Sequence, residues 1–321
     1  MKEFELIKTY FTEQLVNRRD VVVGIGDDCA VIAPAEKQNI AITTDTLIDG
    51  VHFPKNTPAK AIGHKAVAVN LSDLAAMGAE PTWISIAISL PVVDEDWISD
   101  FCEGMFALCE FYNVQLIGGD TTQGPLSITI TAQGTVPPNK QITRSGAKAG
   151  DWIYVTGELG DSALALKHYY GDITLRGDVL VHAMNRLNEP KPRVLAGKAI
   201  REYASAAIDI SDGLLADLSH ICKASNVGAN IVLEDLPLSS ELIASIGAEQ
   251  AMELALSGGD DYELLMTVSE DNKVGMETTL ADMGTKVTCI GQLNGNLKIT
   301  TTLNNKPAQL NLKGFEHFAN E

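Results

Sequence analysis

The chain has 321 residues, with 42 acidic and 24 basic side chains and a formal net charge of −18. This acidity argues against general binding to nucleic acids or to anionic membranes. The length exceeds what one hydrophobic core usually supports, so two domains are expected, over 1–138 and 149–321. The five cysteines include no CxxC pair, which argues against a disulfide framework or a zinc site.

The start of the chain, 1–15, carries charges throughout an amphipathic pattern that is typical of a helix and not of a signal peptide. No apolar run reaches the ~18 residues that a membrane span requires. We therefore expect a soluble cytoplasmic protein.

Hydrophobic spacing predicts the elements of the first half. In chain order these are a helix over 4–15, strands at 21–26 and 40–44, a helix over 61–77, a strand over 83–90, a helix over 97–111 and strands at 114–117 and 126–136. After a break at Pro137-Pro138, the second half continues with strands at 152–156, 206–209, 231–233, 262–268 and 287–290, and helices over 162–169, 194–203 and 213–224. The mixture predicts an α/β or α+β fold in both halves.

Nine aspartates stand beside Gly, Ser or Thr in short segments, most of which follow a strand-like run. They are Asp27, Asp28, Asp45, Asp73, Asp120, Asp209, Asp212, Asp260 and Asp261. Carboxylates at strand ends can converge on one cleft if cations offset their repulsion. Hard oxygen ligands without a His/Cys cluster indicate Mg²⁺, and Mg²⁺ bound in this way usually accompanies phosphate chemistry.

Each acidic segment also has a purely structural interpretation. The segment 24–28 fits a Gly-Asp turn, and 43–46 fits an Asx turn or a helix N-cap. Asp73 could be an exposed helical residue, although Ser72 and Asp73 are poor helix formers. The glycines of 118–122 would let the backbone approach a ligand closely.

Similar alternatives apply to the other candidates. His52 could be structural or could contact substrate. Arg144 could be a solvated loop charge or a phosphate clamp. The acids of 209–213 could be simple N-caps. The segment 260–263 has three acids in four residues, and alternation suggests that one or two face a site and the others face solvent.

Several common signatures are absent from the sequence. The chain has no P-loop, no protein-kinase signature set and no complete GxGxxG. It also lacks GxSxG and HExxH.

Taken together, the motifs resemble the thiamine-monophosphate kinase family, within the superfamily of aminoimidazole ribonucleotide synthetase and selenophosphate synthetase. The resemblance runs from 4 to 318. It is carried by GIGDDCAVI, ITTDTLIDGVHF, KAVAVNLSDLAAMGAEP, QLIGGDTT, TRSGAKAGDWIYVTG, AIDISDGLLADL, SGGDDYELL and KGFEHF. The AIDISDGL and GGDDYEL pair resembles the kinase branch in particular.

The resemblance implies transfer of the γ-phosphoryl group of ATP to thiamine monophosphate, giving thiamine diphosphate. It implies a two-domain synthetase-like fold, whose N-terminal domain binds ATP and Mg²⁺ and forms a β-barrel with a second subunit. The C-terminal α/β domain would complete the active-site cleft of this homodimer.

The resemblance also implies roles for individual residues. The metal ligands would be Asp28, Thr43, Thr44, Asp45, Asp73, Asp120, Asp209 and Asp212. Gly119, Asp120, Arg144 and Ser211 would contact ATP, whereas His52, Asp260 and Phe315 would hold the thiamine substrate. Asp73, Asp120, Asp212 and Arg144 would be the catalytic set.

Both reacting groups are phosphates, so catalysis would consist mainly of positioning and charge stabilisation during direct in-line transfer. One alternative is a synthetase of the same superfamily that activates an amide or formyl oxygen. The other is a metal-binding scaffold that has lost turnover.

Overall fold

The computed structural model describes residues 3–12 and 14–308. The chain divides into two compact units. The first comprises Met1–Leu74 and Ala79–Asn139, and the second comprises Ala75–Gly78 and Lys140–Glu321. Phe315 and the closing KGFEHF segment lie outside the described residues, so their expected substrate contact stays a prediction. Among the described helices, none combines the length and apolar character needed to cross a membrane.

The first unit contains both helices and strands. They are α1 (Glu3–Leu6), which continues as a π-helical turn over Ile7–Phe11, then β1 (Val21–Val23), β2 (Val31–Ile32), β3 (Asn39–Ile48), α2 (Ala59–Ala76), β4 (Glu80–Leu90), α3 (Glu95–Tyr112), β5 (Gln115–Gln123) and β6 (Ser127–Val136). The helix predicted over 4–15 therefore ends at Phe11.

Four of these strands form one open sheet in the order β3-β6-β4-β5. The β3–β6 and β6–β4 pairs are antiparallel, and the β4–β5 pair is parallel. Strands β3 and β5 are consequently the two edges. The sheets that the structure describes are open, so no barrel closes within the described part of one chain.

The two faces of this sheet differ in burial. Alternate residues such as Ile84, Ile86 and Ile130 are buried, and Thr43 on the same face is hydrogen-bonded to Asp73 of α2. Helix α2 therefore covers this face. The opposite face is exposed along β3, where Ile42 is 66% exposed.

Helices α2 and α3 cross at two glycines with no space for a side chain. A Cβ added at Gly63 would lie 2.0 Å from the Phe101 carbonyl oxygen, and one at Gly104 would lie 1.8 Å from that of Lys60. The backbones are thus in direct contact, which places α2 close to α3 and fixes its position over the sheet.

We expect Gly104→Ala to lower the free energy of unfolding by about 3 kcal/mol, because overpacking against backbone outweighs the roughly 1 kcal/mol gain in helix propensity. Urea denaturation followed by circular dichroism measures the change. Gly295→Ala is the matched control, since its Cβ would meet nothing within 4 Å. An unchanged midpoint for Gly104→Ala would show that the helices separate without cost.

The second unit contains a seven-stranded sheet and several helices. Its elements are β7 (Trp152–Thr156), α4 (Asp161–Tyr169), α5 (Gly177–Asn188), α6 (Val194–Ile200), β8 (Ala204–Asp209), α7 (Leu214–Ser225), β9 (Gly228–Val232), α8 (Ser240–Ile246), α9 (Ala248–Ser257), β10 (Leu264–Val268), α10 (Glu270–Asp282), β11 (Val287–Asn294), β12 (Ile299–Leu303) and β13 (Lys306–Ala308). The strand order is β13-β12-β9-β11-β7-β10-β8. Every pairing is antiparallel except β12–β9.

Two predicted strand ends lie inside strands. Asp45 is within β3, and β5 continues through Gly118, Gly119 and Asp120 to Gln123. Glycine suits position 119 because an added Cβ would lie 1.9 Å from the Ile86 carbonyl oxygen of β4. With no side chain at this position, β5 stays paired with β4 through a sequence that is typical of a turn.

Candidate active site

The first group of predicted ligands lies between β3 and α2. Thr43 donates its hydroxyl hydrogen to Asp73 Oδ2 in a short hydrogen bond. Asp45, two residues along β3, faces the same side of the sheet. Burial, and then the nearby charge of Asp73, raise the pKa of Asp45 to about 6. Two carboxylates that disfavour each other's charge form a site that a cation would stabilise.

The side chain of Thr44 points to the other face of the sheet, where its hydroxyl lies 2.9 Å from that of Thr131. The structure therefore does not bring the Thr44 hydroxyl together with Asp45 and Asp73. The Thr44 backbone remains adjacent to that pair through the chain.

A second group lines a cavity of about 910 Å³ beside β5. Asp27 and Asp28 contribute from the loop after β1, and Gly119 and Asp120 contribute from β5. The cavity is also bordered by Lys8 of the N-terminal helical segment. It combines glycine backbone, carboxylates and a base, which are groups that a polyphosphate bound with cations would contact.

These two groups are separated by the sheet within one chain. Asp120 shares a row with Ala87, Thr129 and Thr46 on the exposed face, whereas Asp45 is on the face covered by α2. Strands β3 and β5 are three interstrand spacings apart, or roughly 14 Å. The predicted metal ligands of the first unit therefore fall into two sets.

In the second unit, the loop after β8 wraps around a buried carboxylate of α7. The backbone N–H groups of Ser211, Asp212 and Gly213 donate to Asp217 Oδ2 over 3.0, 3.1 and 3.2 Å. Burial, and then the charge of Asp212, raise the pKa of Asp217 to about 7. Asp209 is buried at the end of β8. The alternative of simple N-caps does not describe this loop, because Gly213 is the N-cap of α7.

The loop before β10 packs against this segment backbone to backbone. The Asp260 N–H donates to the Ser211 carbonyl over 2.9 Å, and the Tyr262 N–H donates to that of Ile210 over 2.8 Å. A Cβ at Gly259 would lie 2.4 Å from the Ser211 oxygen. The structure thus brings together Ser211 and Asp260, the predicted ATP and substrate contacts of this unit.

One expectation about the acids of 260–263 is wrong. One or two of these three acids were expected to face a site and the others to face solvent, yet Asp261 and Glu263 are both 1% exposed and lie inside the second unit. Burial raises the pKa of Asp261 well above its usual range. Their burial is possible because backbone N–H groups and arginines bind them.

The remaining predicted contacts are on loops. His52 follows β3, and its Nδ1 accepts the N–H of Ile48 over 3.1 Å. Arg144 is exposed in the second unit, and its carbonyl oxygen accepts a hydrogen bond from Ser225 over 3.0 Å. An exposed guanidinium on an anchored backbone is compatible with either a solvated charge or a phosphate contact.

Comparison with known proteins identifies the family. Residues 26–136 match the model of the AIR synthase related protein N-terminal domain, and 148–303 match its C-terminal domain. Thiamine-monophosphate kinase of Escherichia coli K12 is 48% identical, over 99% of this chain and 98% of its own length. This chain belongs to the thiamine-monophosphate kinase family.

Other members of the family match this chain over similar lengths. The Bacillus subtilis enzyme of the same name is 34% identical over 99% of this chain and 100% of its own. The crystal structure of thiamine-monophosphate kinase from Stenotrophomonas maltophilia has a TM-score of 0.85 at 43% identity, covering 91% of this chain and 93% of that one. The structure of AaThiL complexed with AMPPCP and TMP has a TM-score of 0.78 at 31% identity and 89% coverage of both chains. The expected two-domain, mixed α/β fold of the kinase family is confirmed.

Sequence reasoning missed two residues that organise the kinase-family motifs. Asp217 holds the loop of Ser211 and Asp212. The sequence feature that could have identified it is an acidic residue at the fourth position of the helix that follows Gly213. Lys65 is 2% exposed in α2, and its Nζ donates to the His52 carbonyl over 3.2 Å. No sequence pattern distinguishes Lys65 from a surface lysine.

The donor chemistry of the first unit fits Mg²⁺. Thr43, Asp45 and Asp73 offer oxygen atoms only, as a hard cation requires. Among the described residues there is no group of three or more His, Cys, Asp or Glu side chains arranged to hold a metal.

Proposed function

We propose that the protein transfers the γ-phosphoryl group of ATP to thiamine monophosphate, producing thiamine diphosphate and ADP. The observation that carries the proposal is the full-length identity with enzymes of that name. The relative complexed with AMPPCP and TMP supports the same pair of substrates. The acidic cavity and the carboxylate pair supply the type of surface on which two phosphate compounds need to be neutralised.

We assign the residues as follows. Gly119, Asp120, Arg144 and Ser211 contact ATP, and His52, Asp260 and Phe315 contact thiamine monophosphate. Gly119 offers backbone without a side chain, and Arg144 offers an exposed cationic fork suited to phosphate oxygens. His52 is oriented by the Ile48 N–H at Nδ1, which directs its other nitrogen away from the β3 backbone.

The residues that we propose hold Mg²⁺ are Asp28, Thr43, Thr44 through its backbone, Asp45, Asp73, Asp120, Asp209 and Asp212. When bound, Mg²⁺ reduces the repulsion between donor and acceptor phosphates and stabilises charge in transfer. Thr43 orients the Asp73 carboxylate through its hydroxyl. Asp217 orients Asp212 by binding three successive N–H groups of its loop.

The chemistry needs no strong general base from the chain. The acceptor is a phosphate monoester whose oxygen is largely ionised near neutral pH, so it can attack without losing a proton. The residues therefore act by positioning and by electrostatics, in a direct in-line transfer without a phosphoenzyme.

We further propose that the active unit is a homodimer whose first units close a shared barrel. Support comes from the exposed sheet face, where Ile40, Ile42 and Ile48 are at least 40% exposed. Exposed apolar side chains on the edge strand of an open sheet commonly mark an interface. Two such sheets related by a twofold axis bury both faces at once.

The dimer would also remove the separation of the two acidic groups along the strand order. Barrel closure brings the β3 edge of one copy beside the β5 edge of the other. At the start of β5, Gln14 makes two hydrogen bonds with the backbone of Leu116, over 2.7 and 2.8 Å. Further along the same strand, Gly119 and Asp120 border the cavity. In this arrangement Asp45 and Asp73 of one copy act with Asp120 of the second.

Incubation of the purified full chain with ATP, Mg²⁺ and thiamine monophosphate tests the function. We expect stoichiometric thiamine diphosphate and ADP, measured by chromatography. ADP release that depends instead on an aminoimidazole precursor would indicate a synthetase of the superfamily. The absence of turnover with either would indicate a scaffold.

A further inference from the structure

Glu263 is a buried carboxylate with four strong hydrogen bonds. Arg193 donates from Nε to Oε2 and from Nη2 to Oε1, each over 2.6 Å. Arg186 donates to Oε1 over 3.1 Å, and Thr156 donates to Oε2 over 2.6 Å. Bidentate pairing with arginine is the strongest form of such contacts and fixes the orientation of the carboxylate. None of these four residues has a role in the assignments above.

The Glu263 carboxylate packs closely against the backbone at the end of β7. Gly157 has φ of +62°, and a Cβ there would lie 2.1 Å from Glu263 Oε1. The Thr156 hydroxyl also accepts the N–H of Leu264 over 2.9 Å. The Glu263 carbonyl accepts the Ile210 N–H over 2.8 Å. One residue therefore links β7, the start of β10 and the segment that leads to Ser211.

Directly before Glu263 the backbone is strained. Asp260 and Tyr262 have φ of +65° and +50°, values that side-chain-bearing residues rarely adopt. Such strain persists only where the surrounding contacts determine it fully. Asp261 is held between the two by the Gly160 N–H, which lies 3.1 and 3.0 Å from its carboxylate oxygens.

We infer that Glu263, bound by Arg186 and Arg193, is a positioning residue that holds the strained 260–262 backbone so that Asp260 faces the thiamine substrate. This rests on the proposed substrate role of Asp260. The side chains of Asp261 and Glu263 anchor the loop at alternate positions, and Ser162 donates to the Asp260 carbonyl over 2.9 Å. Asp260 itself is only partly buried, and its Oδ1 accepts a hydrogen bond from the Tyr262 hydroxyl over 3.2 Å within this anchored segment.

The test compares wild type with Glu263→Gln, which keeps the shape and removes the charge that both arginines bind. We expect the Kd for thiamine monophosphate, measured by calorimetry, and its KM to rise about tenfold. The KM for ATP should change less than about twofold. Glu202→Gln is the matched control, because its ion pair with Lys140 is exposed, and it should leave both constants unchanged.

A second variant guards against misfolding of the first. Arg186→Met removes the longest of the four bonds and leaves the Arg193 pair, so the same selective rise in KM should appear at about threefold. Combining Glu263→Gln with Asp260→Asn should weaken binding no further than Asp260→Asn alone, because Glu263 acts through Asp260.

The outcomes separate the two proposals. If wild type binds thiamine monophosphate but Arg186→Met binds it equally well, the positioning role is overturned and the kinase function stands. Equal rises in both KM values, or additive effects with Asp260→Asn, would also overturn it. If wild type binds no thiamine monophosphate, the proposed function fails and this inference fails with it.

Discussion

Replacing Asp73 with asparagine is expected to lower kcat by about 10²–10³-fold while leaving Tm unchanged or slightly higher. We expect kcat to fall without a fall in Tm because Asp73 has a carboxylate neighbour. Asp45 lies on the same side of the sheet, and the charge of Asp73 contributes to its raised pKa. Asparagine keeps the acceptor oxygen for the Thr43 hydroxyl and removes one of two repelling charges. Folding therefore loses little, whereas the capacity to stabilise a cation is lost.

Steady-state kinetics at saturating Mg²⁺, ATP and thiamine monophosphate measure kcat, and thermal denaturation without substrates measures Tm. Asp100→Asn is the matched control, because Asp100 is exposed on α3 and has no proposed role. Near-normal turnover of Asp73→Asn with saturating Mg²⁺ would remove Asp73 from the catalytic set. A large fall in Tm would mean instead that the carboxylate is structural.

The pattern of apolar residues predicted several helices and the longest strands, although it did not predict α5, α8, α9 and α10 of the second unit. The helix expected over 61–77 is Ala59–Ala76, and the strand expected over 83–90 is Glu80–Leu90. The prediction for 114–117 was too short because Gly118-Gly119-Asp120 has the composition of a turn. This segment stays in β5 through its pairing with β4, where Gly119 lies opposite Ile86, a residue more than thirty positions away.

The acidic segments could be recognised in the sequence, but the way the fold groups them could not. Placing the aspartates at strand ends implied that all would meet in one cleft. Asp45 is instead inside a strand, where each residue faces the opposite side from the next. That alternation divides Thr44 from Asp45, and the strand order divides Asp45 from Asp120.

The supporting residues show the same limit. Glu263 is bound by arginines that are 70 and 77 residues away. The spacing of nearby residues does not indicate such pairs. The sequence alone therefore gave no reason to assign different roles to the three neighbouring acids. Only the packed structure separates the buried Asp261 and Glu263 from Asp260, the residue that we propose contacts a ligand.

Mixing two inactive variants is expected to restore activity if the site is shared between subunits. Asp73→Asn alters the group beside β3, and Asp120→Asn alters the group beside β5. A heterodimer formed from one of each has one site carrying both substitutions and one site carrying neither. Equal mixing with free exchange produces heterodimers as about half of all dimers, so the mixture should reach about a quarter of wild-type activity.

Exchange can be achieved by joint refolding or by co-expression with two affinity tags, and light scattering confirms the dimer. The control is a mixture of Asp73→Asn with Asp45→Asn, both in the group beside β3, which should stay inactive because every heterodimer site retains one substitution. If Asp73→Asn and Asp120→Asn also fail to complement in a verified heterodimer, each chain uses its own Asp73 and Asp120. Substrate and cations would then have to bridge the distance of roughly 14 Å between β3 and β5 within one chain, around the β5 edge. Recovery near a quarter requires that each site draw on the β3 edge of one copy and the β5 edge of the other.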